Sequence, residues 1–140
     1  MGSLFGIRAV MLMLLLLFLT IACDAASRKK HVRVTNELGG GLTLKVHCKS
    51  ADNDIGLQVL PPNAFFEFSF SSGIFAITDF YCSFQWPGGF KWYDIYEDGK
   101  DYLECDKCWW AVRTTEYGPQ PCRLNLSNGK YEICKPWNPK

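Results

Sequence analysis

Histidine is scarce in this chain, with only His31 and His47, and surplus charge is nearly absent: 15 basic against 14 acidic residues give a net charge of +1. Each shortage excludes something. Nucleic acid and anionic membranes are bound through a surplus of Lys and Arg, which this balance does not supply. Membrane attack by a cationic defence peptide is disfavoured on the same ground. Paired-histidine acid–base catalysis has only two residues to draw on. No internal repeat, low-complexity tract or Gly/Ser-rich linker divides the chain, and no helical periodicity follows the first 26 residues.

What is present begins with an apolar N-terminus. Met1–Arg8 carries one positive charge, and Ala9–Ala22 supplies about 14 residues that are apolar apart from Thr20, the length of a signal-peptide core. A permanent bilayer span needs about 20, so stable membrane insertion is not expected. Thr20 also fits poorly the aliphatic position of a lipoprotein signal ending at Cys23. Cleavage after Ala25 places the small residues Cys23 and Ala25 at the recognition positions, dividing the chain into a leader, residues 1–25, and one domain, residues 26–140.

Cysteine usage agrees with export. Of seven cysteines, Cys23 leaves with the leader; Cys48, Cys82, Cys105, Cys108, Cys122 and Cys134 remain. An even set in an oxidising compartment predicts disulfides, in any of about 15 pairings.

Alternation of apolar and polar residues runs through the domain. Val32 and Val34 share a face opposite His31 and Arg33; Leu42, Leu44, Val46 and Cys48 oppose Thr43, Lys45 and His47. Gly39-Gly40-Gly41 between them suits a first hairpin. A short strand reaches Leu60 and stops at Pro61-Pro62-Asn63. Phe66, Phe68 and Phe70 alternate with Glu67 and Ser69, and Phe80, Cys82, Phe84 and Trp86 alternate with Tyr81, Ser83 and Gln85. After Pro87-Gly88-Gly89, Phe90–Tyr96 carries aromatics on both faces: Phe90, Trp92 and Tyr96 on one, Tyr93 with Ile95 on the other. Such a strand is either covered twice or exposes a patch. A charged turn, Glu97–Asp101, precedes a strand at Trp109–Thr115, and Asn128-Gly129 reads as a type I′ hairpin between Leu124–Ser127 and Lys130–Cys134. About eight short strands predict an all-β, single-domain antiparallel β-sandwich stapled by disulfides.

Several segments, in order, carry a resemblance: Val32-Arg33-Val34-Thr35-Asn36, His47-Cys48-Lys49-Ser50, Asp52-Asn53-Asp54-Ile55-Gly56, Phe80-Tyr81-Cys82-Ser83-Phe84, Trp92-Tyr93-Asp94-Ile95-Tyr96, Cys105-Asp106-Lys107-Cys108-Trp109 and Tyr117-Gly118-Pro119-Gln120-Pro121-Cys122. Together they resemble the plant self-incompatibility family, the S-protein homologues, over essentially the whole mature chain. The resemblance implies a secreted β-sandwich with intramolecular disulfides. It also implies a non-enzymatic ligand, the kind that marks the stigma side in poppy self-recognition; we expect a monomer that binds a cell-surface protein receptor and uses no cofactor.

Candidate chemistry reads accordingly. Cys105-Asp106-Lys107-Cys108 has the spacing of half a zinc site or a redox pair, but neither a second metal-spaced pair nor a βαβ context accompanies it, so structural cysteines are the better reading. The two need not pair with each other. His31 lies close to the new N-terminus. His47, on the polar face of its strand, is the residue on which an alternative hydrolase or ribonuclease reading rests. Asp52-Asn53-Asp54 before Gly56 lacks EF-hand spacing and reads as an Asx-rich turn exposed for recognition. Asp52, Asn53 and Asp54, with Asp98 and Lys100 of the charged turn, are the recognition candidates. Trp109 and Trp110 must face opposite sides, and the outward one, with Tyr93 and Ile95, makes a candidate contact patch. Asn125-Leu126-Ser127 is an N-glycosylation acceptor.

Overall fold

Period-two alternation buries one face of each strand, and strands of this kind stack in two layers. A computed structural model describes residues 2–73 and 77–139, without the side chains of residues 2 and 21–27. An apolar helix α1 (Gly2–Ala26) precedes nine strands: β1 (Ser27–Glu37), β2 (Leu44–Lys49), β3 (Asp54–Leu60), β4 (Phe65–Gly73), β5 (Phe80–Trp86), β6 (Gly89–Tyr96), β7 (Lys107–Thr115), β8 (Gly118–Asn125) and β9 (Lys130–Cys134), with the short helix α2 (Asp98–Asp101) between β6 and β7. One sheet has the order β4-β1-β7-β8-β9 and the other β3-β2-β5-β6. Between Ser3 and Thr20 the apolar side chains of α1 are exposed. The expected cut after Ala25 falls where α1 gives way to β1, and the side chains of Cys23 and Ala25 lie outside those described.

Two features depart from a simple antiparallel meander. β1 pairs antiparallel with β4 but parallel with β7, with His31 opposite Lys107 and Glu37 opposite Arg113. The expected first hairpin is an arch instead. β1 and β2 lie in different sheets, and Gly39, Gly40 and Gly41, at φ of 79°, 63° and 70°, carry the chain between layers. Three consecutive left-handed residues are tolerated by glycine alone, and both edges of β1 are already occupied. His31, expected beside a loose terminus, is therefore inside a sheet, with Nδ1 3.5 Å from Glu67 Oε1.

The inward rows follow the sequence. Val32, Val34, Leu44, Val46, Cys48, Phe80, Cys82 and Phe84 are buried. Phe68 and Phe70 of one sheet pack on Phe80 of the other at 4.9 and 4.7 Å between ring centroids, and Phe70 meets Tyr96 edge-on at 4.9 Å. In β6, Tyr93, Ile95 and Tyr96 turn inward while Phe90 and Trp92 face water. Of the tryptophan pair, Trp110 enters the core and meets Tyr93 edge-on at 5.1 Å. Trp109 faces out beneath the Arg33 guanidinium, 3.8 Å from its ring. The expected patch of Trp109 with Tyr93 and Ile95 is thus not assembled, since Tyr93 and Ile95 are core residues.

The β8–β9 connection spans four residues rather than a two-residue type I′ turn. Asn128 and Gly129 both donate backbone N–H groups to Asn125 O (3.3 and 2.8 Å), and Gly129 alone in this loop takes positive φ, at 71°. The Asn125 carboxamide oxygen accepts from Ser127 N at 3.0 Å, which starts the turn earlier than the Asn-Gly pair implies.

Cysteines pair as Cys48–Cys82, Cys105–Cys108 and Cys122–Cys134, at sequence separations of 34, 3 and 12. A crosslink stabilises by removing loop-closure entropy from the unfolded ensemble, an effect that grows with the logarithm of loop length. Paired alanine replacements should therefore rank in that order of loop size, costing about 4 kcal/mol for Cys48/Cys82, about 3 for Cys122/Cys134 and about 2 for Cys105/Cys108. Equilibrium urea unfolding of the three double variants checks the ranking.

Candidate recognition surface

Strand registers bring the polar connections together. β2 and β5 are antiparallel, as are β5 and β6, so the β2–β3 turn and the β6–α2 junction leave from the same end of their sheet. The Lys30 ammonium reaches the α2–β7 connection from the start of β1, which sets that same end for the other sheet. The β8–β9 loop joins it, because Arg123 of β8 donates to Asp101 Oδ1 and Glu104 Oε2 at 3.2 and 2.8 Å. One end of the sandwich thus gathers the Ser50–Asp54 turn, α2 and its flanks, and the loop bearing Asn125.

The Ser50–Asp54 turn is held by its own polar groups. Ser50 N donates to Asn53 O at 2.8 Å, and Asn53 N returns a bond to Ser50 Oγ at 3.1 Å. Asp54 Oδ1 accepts from Gly56 N at 2.8 Å and lies 2.6 Å from His47 Nε2, while Lys49 Nζ stands 3.9 Å from Oδ2. The His47 contact, followed by the Gly56 amide, holds the Asp54 carboxyl below the ordinary aspartate range. Asp52, Asn53 and Asp54 all remain exposed, so the turn is anchored from below and open above.

α2 behaves differently from a free charged turn. Asp98 is buried and accepts from Tyr96 OH at 3.0 Å and from Ser72 Oγ; its own N–H donates to Asp79 Oδ1 at 2.8 Å. Asp101, also buried, accepts from Glu97 N at 2.7 Å and from Arg123, and burial raises its carboxyl pKa. Asp98 is therefore an internal anchor, and Lys100 is the candidate in this segment left facing solvent. Residues 98 and 101 are one helical turn apart and share a face; the acidic spacing was visible, but its inward direction depends on Ser72 and Arg123, distant in sequence.

Lys30 is the residue that sequence reasoning missed. Its ammonium is fully buried, donating to Tyr102 O (2.5 Å), Cys105 O (2.8 Å) and Asp106 Oδ1 (2.8 Å), with the Tyr102 ring 4.7 Å away. It fastens the α2–β7 connection and with it the Cys105–Cys108 bridge. The possible signal was its place two residues before Val32, on the inward parity of β1.

The chemistry that can be staged here is limited. His31 and His47 lie on outward faces of different sheets, so no paired-histidine site is assembled. Among the described residues, no group of three or more His, Cys, Asp or Glu side chains is placed to hold a metal ion. Asn125, at the end of β8, donates through Nδ2 to Glu132 Oε1 at 2.8 Å, and Ser127 of its acceptor motif is exposed.

Comparison with known proteins agrees with this architecture. The family described as plant self-incompatibility protein S1 matches residues 31–137. S-protein homolog 3 of Arabidopsis thaliana is 44% identical over 116 residues, covering 80% of this chain and 75% of its own length. S-protein homolog 4 of the same plant is 44% identical over 115 residues, covering 79% and 73%. A solved structure of a self-incompatibility protein homologue, described as one of a widespread family of small, highly stable, secreted plant proteins, superposes with a TM-score of 0.57 at 16% identity. That likeness covers 82% of this chain and 99% of the other, and establishes the shared fold.

The Asp54 anchor gives a pH prediction. A carboxyl with a depressed folded pKa contributes fully above its unfolded value, about 3.9, and loses its contribution as pH falls through the lower folded value. Replacing His47 by Ala should move the Asp54 midpoint upward and loosen the turn, as read by carboxyl NMR titration of both proteins. An unmoved midpoint would remove His47 as the anchor.

Proposed function

Because this secreted chain belongs to the plant self-incompatibility protein S1 family, we propose that it acts, once residues 1–25 are removed, as a monomeric, non-enzymatic ligand for a protein on a plant cell surface. The observation that carries the reading is the loop end of the sandwich, where exposed Asp52, Asn53 and Asp54 ride on a turn fixed by His47 and its own backbone. A rigid scaffold presenting short polar loops suits partner discrimination, because little ordering entropy is lost when such loops bind. Lys100 adds an exposed cation at the same end. Exchanging residues 50–54 with those of a relative should redirect or abolish binding to cells that bind the parent, measured with labelled protein. Unchanged partner choice would remove the turn from the recognition surface.

The hydrolase alternative draws on the His47–Asp54 contact, which has the form of a base and its orienting acid. RNA or glycan turnover by the parent that vanishes in His47→Ala would overturn the ligand reading.

Asn125 is the proposed glycan attachment site. Its Nδ2 keeps one N–H after substitution, enough to retain the Glu132 bond. Intact-mass spectra of protein from a plant host should show Asn125→Gln lighter by one glycan; identical masses would refute the attachment.

A further inference from the structure

Of the ten large apolar side chains left exposed among the described residues after α1, five share one face. Leu57 and Val59 of β3, Tyr81 of β5, and Phe90 and Trp92 of β6 stand on the outward side of the β3-β2-β5-β6 sheet, each between 41% and 58% exposed. Register sets them in rows across the strands. Val59, Lys45, Gln85 and Phe90 form one row and Leu57, His47, Ser83 and Trp92 the next, followed by Asp54, Lys49 and Tyr81. The apolar groups therefore make two margins, one aliphatic along β3 and one aromatic over β6 and the end of β5. A polar strip along β2 lies between them. The aromatic margin is continuous, with Phe90 and Trp92 at 5.8 Å between centroids and Trp92 and Tyr81 at 5.9 Å. At Lys49 and Asp54 the third row runs into the Ser50–Asp54 turn, so face and turn are one surface.

The charges on this surface are unequally engaged. Asp54 is held by His47 and the Gly56 amide, and Asp94, next to the aromatic margin, by the Asn138 carboxamide at 2.8 Å. The lysines have less. Lys45 forms no ion pair among the described residues, and Lys49 stands 3.9 Å from Asp54 Oδ2. What the face lacks is therefore carboxylate between two apolar borders.

That combination selects the class of occupant. A neutral polysaccharide would take Lys45 and Lys49 out of water with no counter-charge, which is costly. An acidic polysaccharide carries a carboxylate on sugar after sugar and would drive them past Asp52, Asp54 and Asp94 as well as the lysines. Neither offers apolar surface to the branched side chains of Leu57 and Val59, which gain only when buried against it. A protein can set apolar side chains on both margins and a few carboxylates on the strip between. Size agrees. Four strands about 4.8 Å apart, with outward rows about 7 Å apart, cover roughly 400 Å². A stable complex uses about 800 Å² of each partner, so the adjoining turn belongs to the same footprint. We propose, resting on the reading of this chain as a ligand for a cell-surface protein, that this face binds that protein together with the Ser50–Asp54 turn. The partner's carboxylates meet Lys45 and Lys49, and its apolar side chains cover Leu57, Val59 and the Tyr81–Trp92–Phe90 row.

Labelled mature protein titrated onto protoplasts, stripped of wall polysaccharide, from cells that bind the parent tests this. Binding should persist on protoplasts, disappear after protease treatment, and resist soluble polygalacturonate and xyloglucan. Trp92→Ala, Val59→Lys and the double variant Lys45→Glu/Lys49→Glu should each weaken it at least tenfold, with urea midpoints near that of the parent. Lys45→Arg/Lys49→Arg, which keeps both charges, should bind like the parent. Face variants that all bind like the parent would overturn the proposal. Displacement by polygalacturonate or by xyloglucan would also overturn it, by assigning the face to an acidic or a neutral glycan. A parent dimer in sedimentation velocity that Trp92→Ala dissolves would assign it to a second copy instead. The two readings fail separately: a parent that binds no cell sinks the ligand reading and this one with it. Binding that responds to the exchange of residues 50–54 but to no face variant sinks this one alone.

Discussion

The inward row of β1 holds the structure together. Lys30, Val32, Val34 and Asn36 are two residues apart, share one face, and are all essentially buried. The two valines supply the apolar middle. The two polar residues fasten opposite ends of the sandwich: Lys30 takes three oxygens of the α2–β7 connection, whereas Asn36 donates to Leu42 O and Leu60 O at 2.8 and 2.9 Å and accepts from Leu38 N at 3.1 Å. A buried ammonium without partners would be prohibitive, and a buried carboxamide nearly so. Both are tolerable only because the loops bend back to meet them, so β1 dictates the loop geometry as well as the core.

That strand also explains the topology. β1 is an interior strand of its sheet, with the edge strand β4 on one side and β7 on the other. Its partners are therefore supplied by later parts of the chain, after excursions through the opposite sheet. The parallel contact with β7 follows, because a long connection, rather than a tight turn, brings the two strands side by side. Alternation in the sequence tells which side of each strand is apolar, and Leu44, Val46, Phe80 and Phe84 are buried as their spacing implies. It carries no information on which strand neighbours which, and so the glycine arch between β1 and β2 reads like a hairpin.

The candidate surface was legible to the same extent and for the same reason. Asp52, Asn53 and Asp54 are a local signal: short polar side chains that bond their own backbone and stay in water. Asp98 looked equivalent in sequence and is not, because Ser72 and Tyr96 receive it inside the fold. β6 was ambiguous in a different way. With rings on both faces it has no polar parity to read, and the register shift between Phe80 and Cys82 places Tyr96 inward beside Tyr93 and Ile95. Only pairing with β5 identifies Phe90 and Trp92 as the solvent side. β8 hides itself through Pro119 and Pro121, which read as loop residues yet lie within a paired strand.

The three disulfides staple within layers and not between them. Cys48–Cys82 joins the neighbouring strands β2 and β5, Cys122–Cys134 joins β8 and β9, and Cys105–Cys108 closes the turn ahead of β7. Cohesion between the sheets therefore rests on side-chain packing, above all the Phe68, Phe70, Phe80 and Tyr96 cluster, and on Trp137 folded against Phe84, Trp86 and Tyr93. Oxidation hardens each sheet separately while hydrophobic burial aligns the two. In such a design the loop end can change its exposed residues at little cost, because its supports are Lys30, Asp98, Asp101 and Arg123 underneath, and none of these need meet a partner. Outside the cell, where oxidation is assured, that separation of support from surface suits a scaffold whose loop end varies while its core is kept.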